Sequence, residues 1–513
     1  MPQDLLLGLD IGTSSVKGLL ALVKPGAPIL ATVITDYQTP PRQPRTGWSE
    51  HDPEQWWTAC QQTIAQLCRN AKRKPAEIRS IGLSGQMHGS VFLDRGGAVI
   101  RPALLWNDQR TTDQCARIEQ AAGGRDTLIR LVKNPALTGY TAPKILWLRD
   151  REPKHFAKLA KVLLPKDYIR YRLSAATICD VSDASGTLLL DIDRRIWSTE
   201  LLNRLDLPAE LLPDLCESTD PSSTVNGLAS RMTGIEQGVP IAGGAGDQPA
   251  GAVGNGIVSP GVVSATLGTS GVLFAHADAP VPNPQGALQS FCHAVPAKWC
   301  VFGCMLSAGG SLQWLRNNLG QPEIAAAKKL RRDAYDLLIE QAATAPPGAA
   351  GLYFLPYLTG ERCPYPDPAA RGGWIGLTAS HNRAHLIRAV VEGITYGLKD
   401  QVELMRQGGV AVNQIRASGG GARSRWWCQL MADIFDAEIV TTTSTEGGAY
   451  GAALLAGVAC GAFATIEAAC AKAIRITRRW KPNAKRSAAY RRHHETYRQL
   501  YADLRNTFPR MAT

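Results

Sequence analysis

Two familiar nucleotide signatures are missing from this 513-residue sequence. No GxxxxGK[ST] loop occurs, and no GxGxxG follows a strand pattern to open a helix. A P-loop NTPase and a dinucleotide-binding enzyme of Rossmann type are thereby excluded, and any phosphate site has to be built another way. The twelve cysteines, from Cys60 to Cys470, form no CxxC, and Cys300 and Cys304 are the closest pair. Neither a zinc site nor a disulfide framework is expected in so long a chain, and reduced thiols in the cytoplasm are. Charged residues are few, 19% against 45% hydrophobic, which excludes a disordered or fibrous chain. No basic stretch precedes Leu5-Leu6-Leu7, which Asp4 and Asp10 bracket, so no secretory signal is read there. The uncharged run Gly447 to Ile466 is rich in Gly and Ala, not Leu and Ile, and predicts a closely packed buried helix, not a membrane span.

Positive charge is what the chain has in excess, +12 overall. Eleven Lys and Arg between Lys472 and Arg505, against Glu495 and Asp503, supply +9 of it. Tyr490, Tyr497, Tyr501 and Leu504 there fall on helical spacing, which predicts a docked helix with a solvated basic face. A nucleic-acid patch is the sharper alternative, and no recognition motif accompanies the charge.

The chain also repeats itself. Residues 6–22 read LLGLDIGTSSVKGLLAL and residues 262–278 read VVSATLGTSGVLFAHAD. Gly12-Thr13-Ser14 matches Gly268-Thr269-Ser270 at an offset of 256, half the chain length. Each copy reads as a β-hairpin, and two such turns facing each other could clasp a polyphosphate with N–H and hydroxyl groups. Strand patterns at 78–84, 351–357, 414–418 and 438–442 alternate with helical ones such as 424–435, which argues for an α/β architecture. The Gly/Pro-rich stretch 238–246 fits a hinge between two similar halves.

Several residues have the chemistry for a site. Asp10, two residues before the first turn, is either a turn cap or a carboxylate for Mg2+. Lys17 behind it is a possible phosphate partner or a solvated strand residue. The run 241–247 passes through three glycines to Asp247, and Gln248-Pro249 then opens a helix. Asp247 either caps that helix or serves as a general base toward an attacking hydroxyl. Gly419-Gly420-Gly421, followed by Ala422, offers a surface without side chains, suited to an adenine or ribose. Gly309 stands at a helix N-terminus able to hold a phosphate. His88, in the loop Gly85-Gln86-Met87-His88-Gly89, could bond a sugar hydroxyl.

Taken together, these motifs resemble the FGGY carbohydrate kinase family, over roughly Leu5 to Leu504. The resemblance rests on Asp10 to Ser15, Gly139 to Trp147 (GYTAPKILW), Gly246-Asp247-Gln248, Gly372 to Glu392 and Gly419 to Ser424. It implies two actin-like (ribonuclease H-like) domains, residues 1–245 for sugar and 246–513 for nucleotide, closing on MgATP. It also implies Asp247 as catalytic base, Asp10 near the metal, Thr13 and Ser14, with Gly268 and Thr269, near the phosphates, and Gly420 and Gly421 by the adenine. Within the family, Gly47-Trp48-Ser49-Glu50, Met87-His88, Leu105-Trp106-Asn107-Asp108 and Leu163 to Tyr168 resemble the branch acting on D-xylulose, with Met87, His88 and Gln248 holding the ketose. Arg151 departs from the residue usual at its position, and Gln248 stands where much of that branch has Asn. Another acceptor (D-ribulose, L-ribulose or glycerol) is therefore the nearest alternative. A non-catalytic sugar-responsive regulator and a filament-forming ATPase are the alternatives from other classes. No membrane or nucleic-acid partner is expected, and a homodimer would be ordinary for such a family.

Overall fold

The computed structural model describes residues 3–283, 285–444 and 446–511. It has α/β architecture, with two seven-stranded mixed sheets built on the same plan. The N-terminal sheet comprises β1 (Leu5–Ile11), β2 (Ser15–Leu22), β3 (Ile29–Asp36), β4 (Ile78–Gly85), β5 (Pro221–Thr224), β6 (Pro240–Ala242) and β7 (Ala245–Gly246). Its order is β5-β6-β4-β1-β2-β3, with β7 also on β4. The C-terminal sheet comprises β8 (Gly261–Leu267), β9 (Gly271–Ala277), β10 (Gln289–Cys292), β11 (Trp299–Met305), β12 (Val412–Gly419), β13 (Glu438–Thr442) and β14 (Ile476–Trp480), in the order β10-β11-β9-β8-β12-β13-β14.

Both halves begin with an antiparallel hairpin whose first strand pairs in parallel with a later one. The duplication extends to an irregularity. The β1–β4 register slips between Leu5 and Leu6, and the β8–β12 register slips between Gly261 and Val262, 256 residues on.

The helices that matter to the site are α1 (Pro53–Ala71), α2 (Thr141–Arg151), α3 (Pro165–Ser174), α4 (Asp247–Gly254), α5 (Gly309–Leu319), α6 (Arg425–Phe435), α7 (Gly447–Ala459) and α8 (Ala484–Leu504). The leucines of β1 are buried on both faces. On one side Gly18 of β2 lies over Thr63 and Leu67 of α1. On the other, α7 leaves the C-terminal sheet and crosses onto the N-terminal one, where Leu6, Leu19 and Ala21 share a core with Ala453, Leu454 and Leu455. A Cβ on Gly8 or Gly82 would overlap the backbone carbonyls of Ala449 or Ala452, so bare backbone lets α7 lie directly on the strands. Gly254 and Gly451 meet the facing helix in the same way, locking α4 to α7. The Gly/Ala-rich run is thus the tight-packing helix that its composition predicts, and no helix among the described residues is long and apolar enough to cross a membrane.

One expectation fails. The stretch 238–246 is no hinge, because Ile241 pairs with Ile81 and Ala245 and Gly246 pair with Ser84 and Gly85 within the N-terminal sheet. Its glycines serve close approach: a Cβ on Gly243 or Gly244 would overlap the carbonyls of Glu217 or Leu83. Helix α8 docks as its spacing predicts, with Tyr490 and Tyr497 buried and their hydroxyls on Glu392 and Tyr357.

Candidate active site

Asp247 begins α4 because β7 ends at Gly246 and Pro249 suits the first helical turn. Its half-buried carboxyl stands on the wall of a cavity of about 740 Å³, beside Gln248, Thr266, Ser418, Gly420 and Gly447. Burial, and then the negative charge of Asp10, push its pKa up to about 7, against the pull of the Gln248 N–H. A carboxyl poised there can receive a proton at neutral pH.

Asp10, at the end of β1, is also held above the usual carboxylate range, by burial first, while the Ser84 hydroxyl (2.9 Å to Oδ1) and the Lys17 charge oppose the shift. A Cβ on Gly448 would stand 2.7 Å from Oδ2, so the bare start of α7 leaves that oxygen room. Among the described residues, no three His, Cys, Asp or Glu side chains gather to cage a metal. A single carboxylate completed by phosphate and water oxygens suits Mg2+, which favours such sites. Lys17 does not stand free beside it: its ammonium is 2.7 Å from Glu446, just before α7, and ties β2 to the opposite half.

The two Gly-Thr-Ser turns occupy different surroundings. Gly268 and Thr269 line a second cavity of about 310 Å³ with Gly309, Tyr335, Gly421 and Trp427. Gly420 and Arg423 border both cavities, so the two adjoin there, and Ala422 lines the larger. The Gly309 and Gly310 N–H groups donate to the carbonyls of Gly268 and Thr269, each at 2.9 Å, so the α5 terminus braces the turn. Of the triple glycine, Gly419 needs its residue type most: its φ is +79° and a Cβ would overlap the Leu267 carbonyl.

The first turn faces elsewhere. Thr13 Oγ1 accepts from Trp106 Nε1 (2.9 Å) and donates to Gln86 Oε1 (3.3 Å), while Ser14 is exposed. Neither lines a described cavity. Gln86 leads into Met87 and His88, which follow β4. Met87 is buried against Gly246, and His88 sits beside it with backbone φ of +69°. His88 Nδ1 lies 2.7 Å from the Gly186 carbonyl and must carry the proton there. Burial keeps the ring neutral, with its pKa lowered to about 3, so Nε2 is a bare acceptor.

Sequence reasoning gave no role to the groups that hold this loop. Lys144 of α2 is fully buried, donates to the carbonyls of His88 (2.8 Å) and Gly139 (2.6 Å), and has its pKa lowered by burial to about 7. Behind Asp247, Lys166 of α3 is enclosed with Asp167 (2.5 Å), Asp180 (2.8 Å) and Asp183 (3.4 Å). Ser182 joins Asp180 (2.5 Å) to the Gly246 N–H (3.4 Å). Lys144 lies in GYTAPKILW and Lys166 in LLPKDY, so family motifs held both, with no sign of what they bind.

Comparison with known proteins gives one answer for both halves. The description "FGGY family of carbohydrate kinases, N-terminal domain" matches residues 5–254, and that family's C-terminal domain matches residues 263–460. A xylulose kinase from Bacillus subtilis (strain 168) is 36% identical over 97% of this chain and 96% of its own. One from Escherichia coli (strain K12) is 37% identical over 97% and 99%. The crystal structure of xylulose kinase from Rhodospirillum rubrum superposes with a TM-score of 0.90 at 29% identity, covering 98% of this chain and 99% of that one.

Proposed function

The chain belongs to the FGGY family of carbohydrate kinases, and from that premise we propose that it transfers the γ-phosphoryl group of ATP to D-xylulose, giving D-xylulose 5-phosphate. One observation carries the substrate. The likeness to two xylulose kinases runs over 97% of the chain, so it takes in the Met87-His88 loop as well as the nucleotide half.

The ketose is held by the N-terminal half, whose matched span, residues 5–254, takes in Asp247 and Gln248. Neutral His88 accepts a sugar hydroxyl at Nε2, and Gln248 offers an amide to another. Asp247 takes the proton of the attacking hydroxyl, which a carboxyl with a pKa of about 7 can do without binding it too tightly to release. ATP lies against the C-terminal half, its adenine by Gly420, Gly421 and Ala422 and its phosphates by the Gly268-Thr269 turn, where the Thr269 N–H and hydroxyl suit an anion. Mg2+ would be held by Asp10 with the ATP phosphates, and when bound it supplies charge neutralisation. The rest is positioning: the transfer needs an in-line hydroxyl and a site closed to water more than covalent chemistry. The free cysteines and the lack of a membrane-crossing helix among the described residues suit the cytoplasm.

The test is ADP release with MgATP across D-xylulose, D-ribulose, L-ribulose and glycerol, ranked by kcat/KM. D-xylulose should lead. Preference for another acceptor would overturn the substrate and move attention to Gln248, leaving the family untouched.

A further inference from the structure

Arg362 has no role in the site described so far, and its surroundings single it out. The buried Glu361 beside it accepts at Oε1 from the N–H groups of Leu306 (2.9 Å) and Arg362 (2.7 Å). The Leu306 carbonyl takes the Ser270 hydroxyl (3.3 Å), and Ser307 and Thr359 share a hydrogen bond (3.2 Å). Residues 359–362 are therefore pinned to the corner where the second Gly-Thr-Ser turn meets the start of α5. From that corner the half-buried Arg362 guanidinium makes no hydrogen bond or ion pair with any described residue. Its charge reaches across the cleft. His88, depressed chiefly by burial, also feels Arg362, and so does Tyr140, raised chiefly by burial. Tyr140 and His88 are in edge-to-face contact, 4.8 Å between ring centres.

An arginine standing between a phosphate corner and a sugar loop, with five donors and no acceptor, is matched to an anion that passes between them. A neutral ketose would leave its charge uncompensated. A phosphoryl group offers two oxygens at the spacing of the guanidinium fork. We propose that Arg362 grips the phosphoryl group during transfer and in the sugar-phosphate product. The proposal rests on the phosphoryl-transfer reading above. The sugar O–P bond forms as the bond between the γ-phosphorus and the β,γ-bridging oxygen breaks, the hydroxyl proton goes to Asp247, and ADP leaves with the electron pair.

Arg362→Met and Arg362→Lys test it, assayed with whichever sugar the wild type turns over fastest, so that the outcome does not hang on D-xylulose. Failure of the kinase reading would show in the wild type itself; failure of this proposal shows only in the variants. In Arg362→Met, kcat should fall by about 10³-fold, as on removal of an arginine finger, with about tenfold recovered in Arg362→Lys. Inhibition by the sugar-phosphate product should weaken by about tenfold or more, while sugar affinity without nucleotide, followed by tryptophan fluorescence, stays within about twofold. Thermal melting should not change, since the side chain has no protein partner to lose. Unchanged product inhibition, wild-type kcat, or a loss confined to sugar affinity would each overturn the assignment.

Discussion

Asp247→Asn tests the catalytic carboxyl, because it should move activity and stability in opposite directions; the helix is capped by Gly246, not by this side chain. Removing a general base costs on the order of 10²- to 10⁴-fold in kcat. The stability term follows from burial. The Asp247 pKa is about 7 in the folded chain and about 3.9 unfolded. The folded state therefore holds the proton more tightly, and the stability that comes with it is lost as pH rises through 7. At pH 5 the folded carboxyl is still neutral, and ionisation of the unfolded chain costs about 1.5 kcal/mol of stability. At pH 8 both states are ionised and the cost reaches about 4 kcal/mol. Asparagine never ionises, so the variant should be the more stable protein, with its advantage widening by about 2.6 kcal/mol between pH 5 and pH 8. Urea midpoints at the two pH values read this directly, and coupled ADP release from pH 5.5 to 9 reads the wild-type acid limb near 7. A variant that keeps turnover within about tenfold of wild type would refute the base assignment. A stability gap independent of pH would show that the Asp247 carboxyl is not the titrating group.

Two further substitutions test the surroundings. Lys166→Met leaves three buried carboxylates around a lost cation, and should destabilise the chain by about 3–5 kcal/mol in urea unfolding, as removal of one partner from an enclosed ion pair does. Lys17→Ala breaks only a partly exposed bridge to Glu446, worth about 0–1 kcal/mol. It should leave KM for ATP within about threefold, whereas a lysine that held a phosphate would raise it by about tenfold or more.

What could be read from the sequence was what is local. The strand 438–442 lies where its β-branched run predicts it, and the helix at 425–435 starts where Ser424 caps the Trp427 N–H. Repetition at 256 residues points to two similar halves, and the structure carries that likeness down to a shared register slip. What stayed hidden was long-range. Lys166 and Asp167 lie in a stretch that the sequence offers only as a family motif, with no sign that both side chains are buried. Their enclosure depends on Asp180 and Asp183 from a separate segment. Glycines 243 and 244 read as hinge because composition does not distinguish backbone that must move from backbone that another chain segment must approach. Lys17 reads either as a phosphate partner or as a solvated strand residue, and neither reading contains Glu446, its counter-ion more than four hundred residues away.

The duplication itself carries the last lesson, since it predicts a symmetry that the site does not keep. In the first hairpin Ile11 pairs with Val16, and in the second Leu267 pairs with Gly271, one residue closer to the turn. The first turn thus closes from Gly12 N–H to the Ser15 carbonyl, and the second from Gly268 N–H to the Ser270 carbonyl. The chemistry differs with the register. Thr13 is committed to Trp106 and Gln86, next to Met87 and His88, so the first turn is bound into the sugar loop. Gly268 and Thr269 are braced by α5 and open onto a cavity, where the proposed reading puts the phosphates. On the proposed reading, two copies of one hairpin serve an acceptor and a donor of phosphate, and the asymmetry comes from what packs behind each turn, not from the Gly-Thr-Ser residues they share.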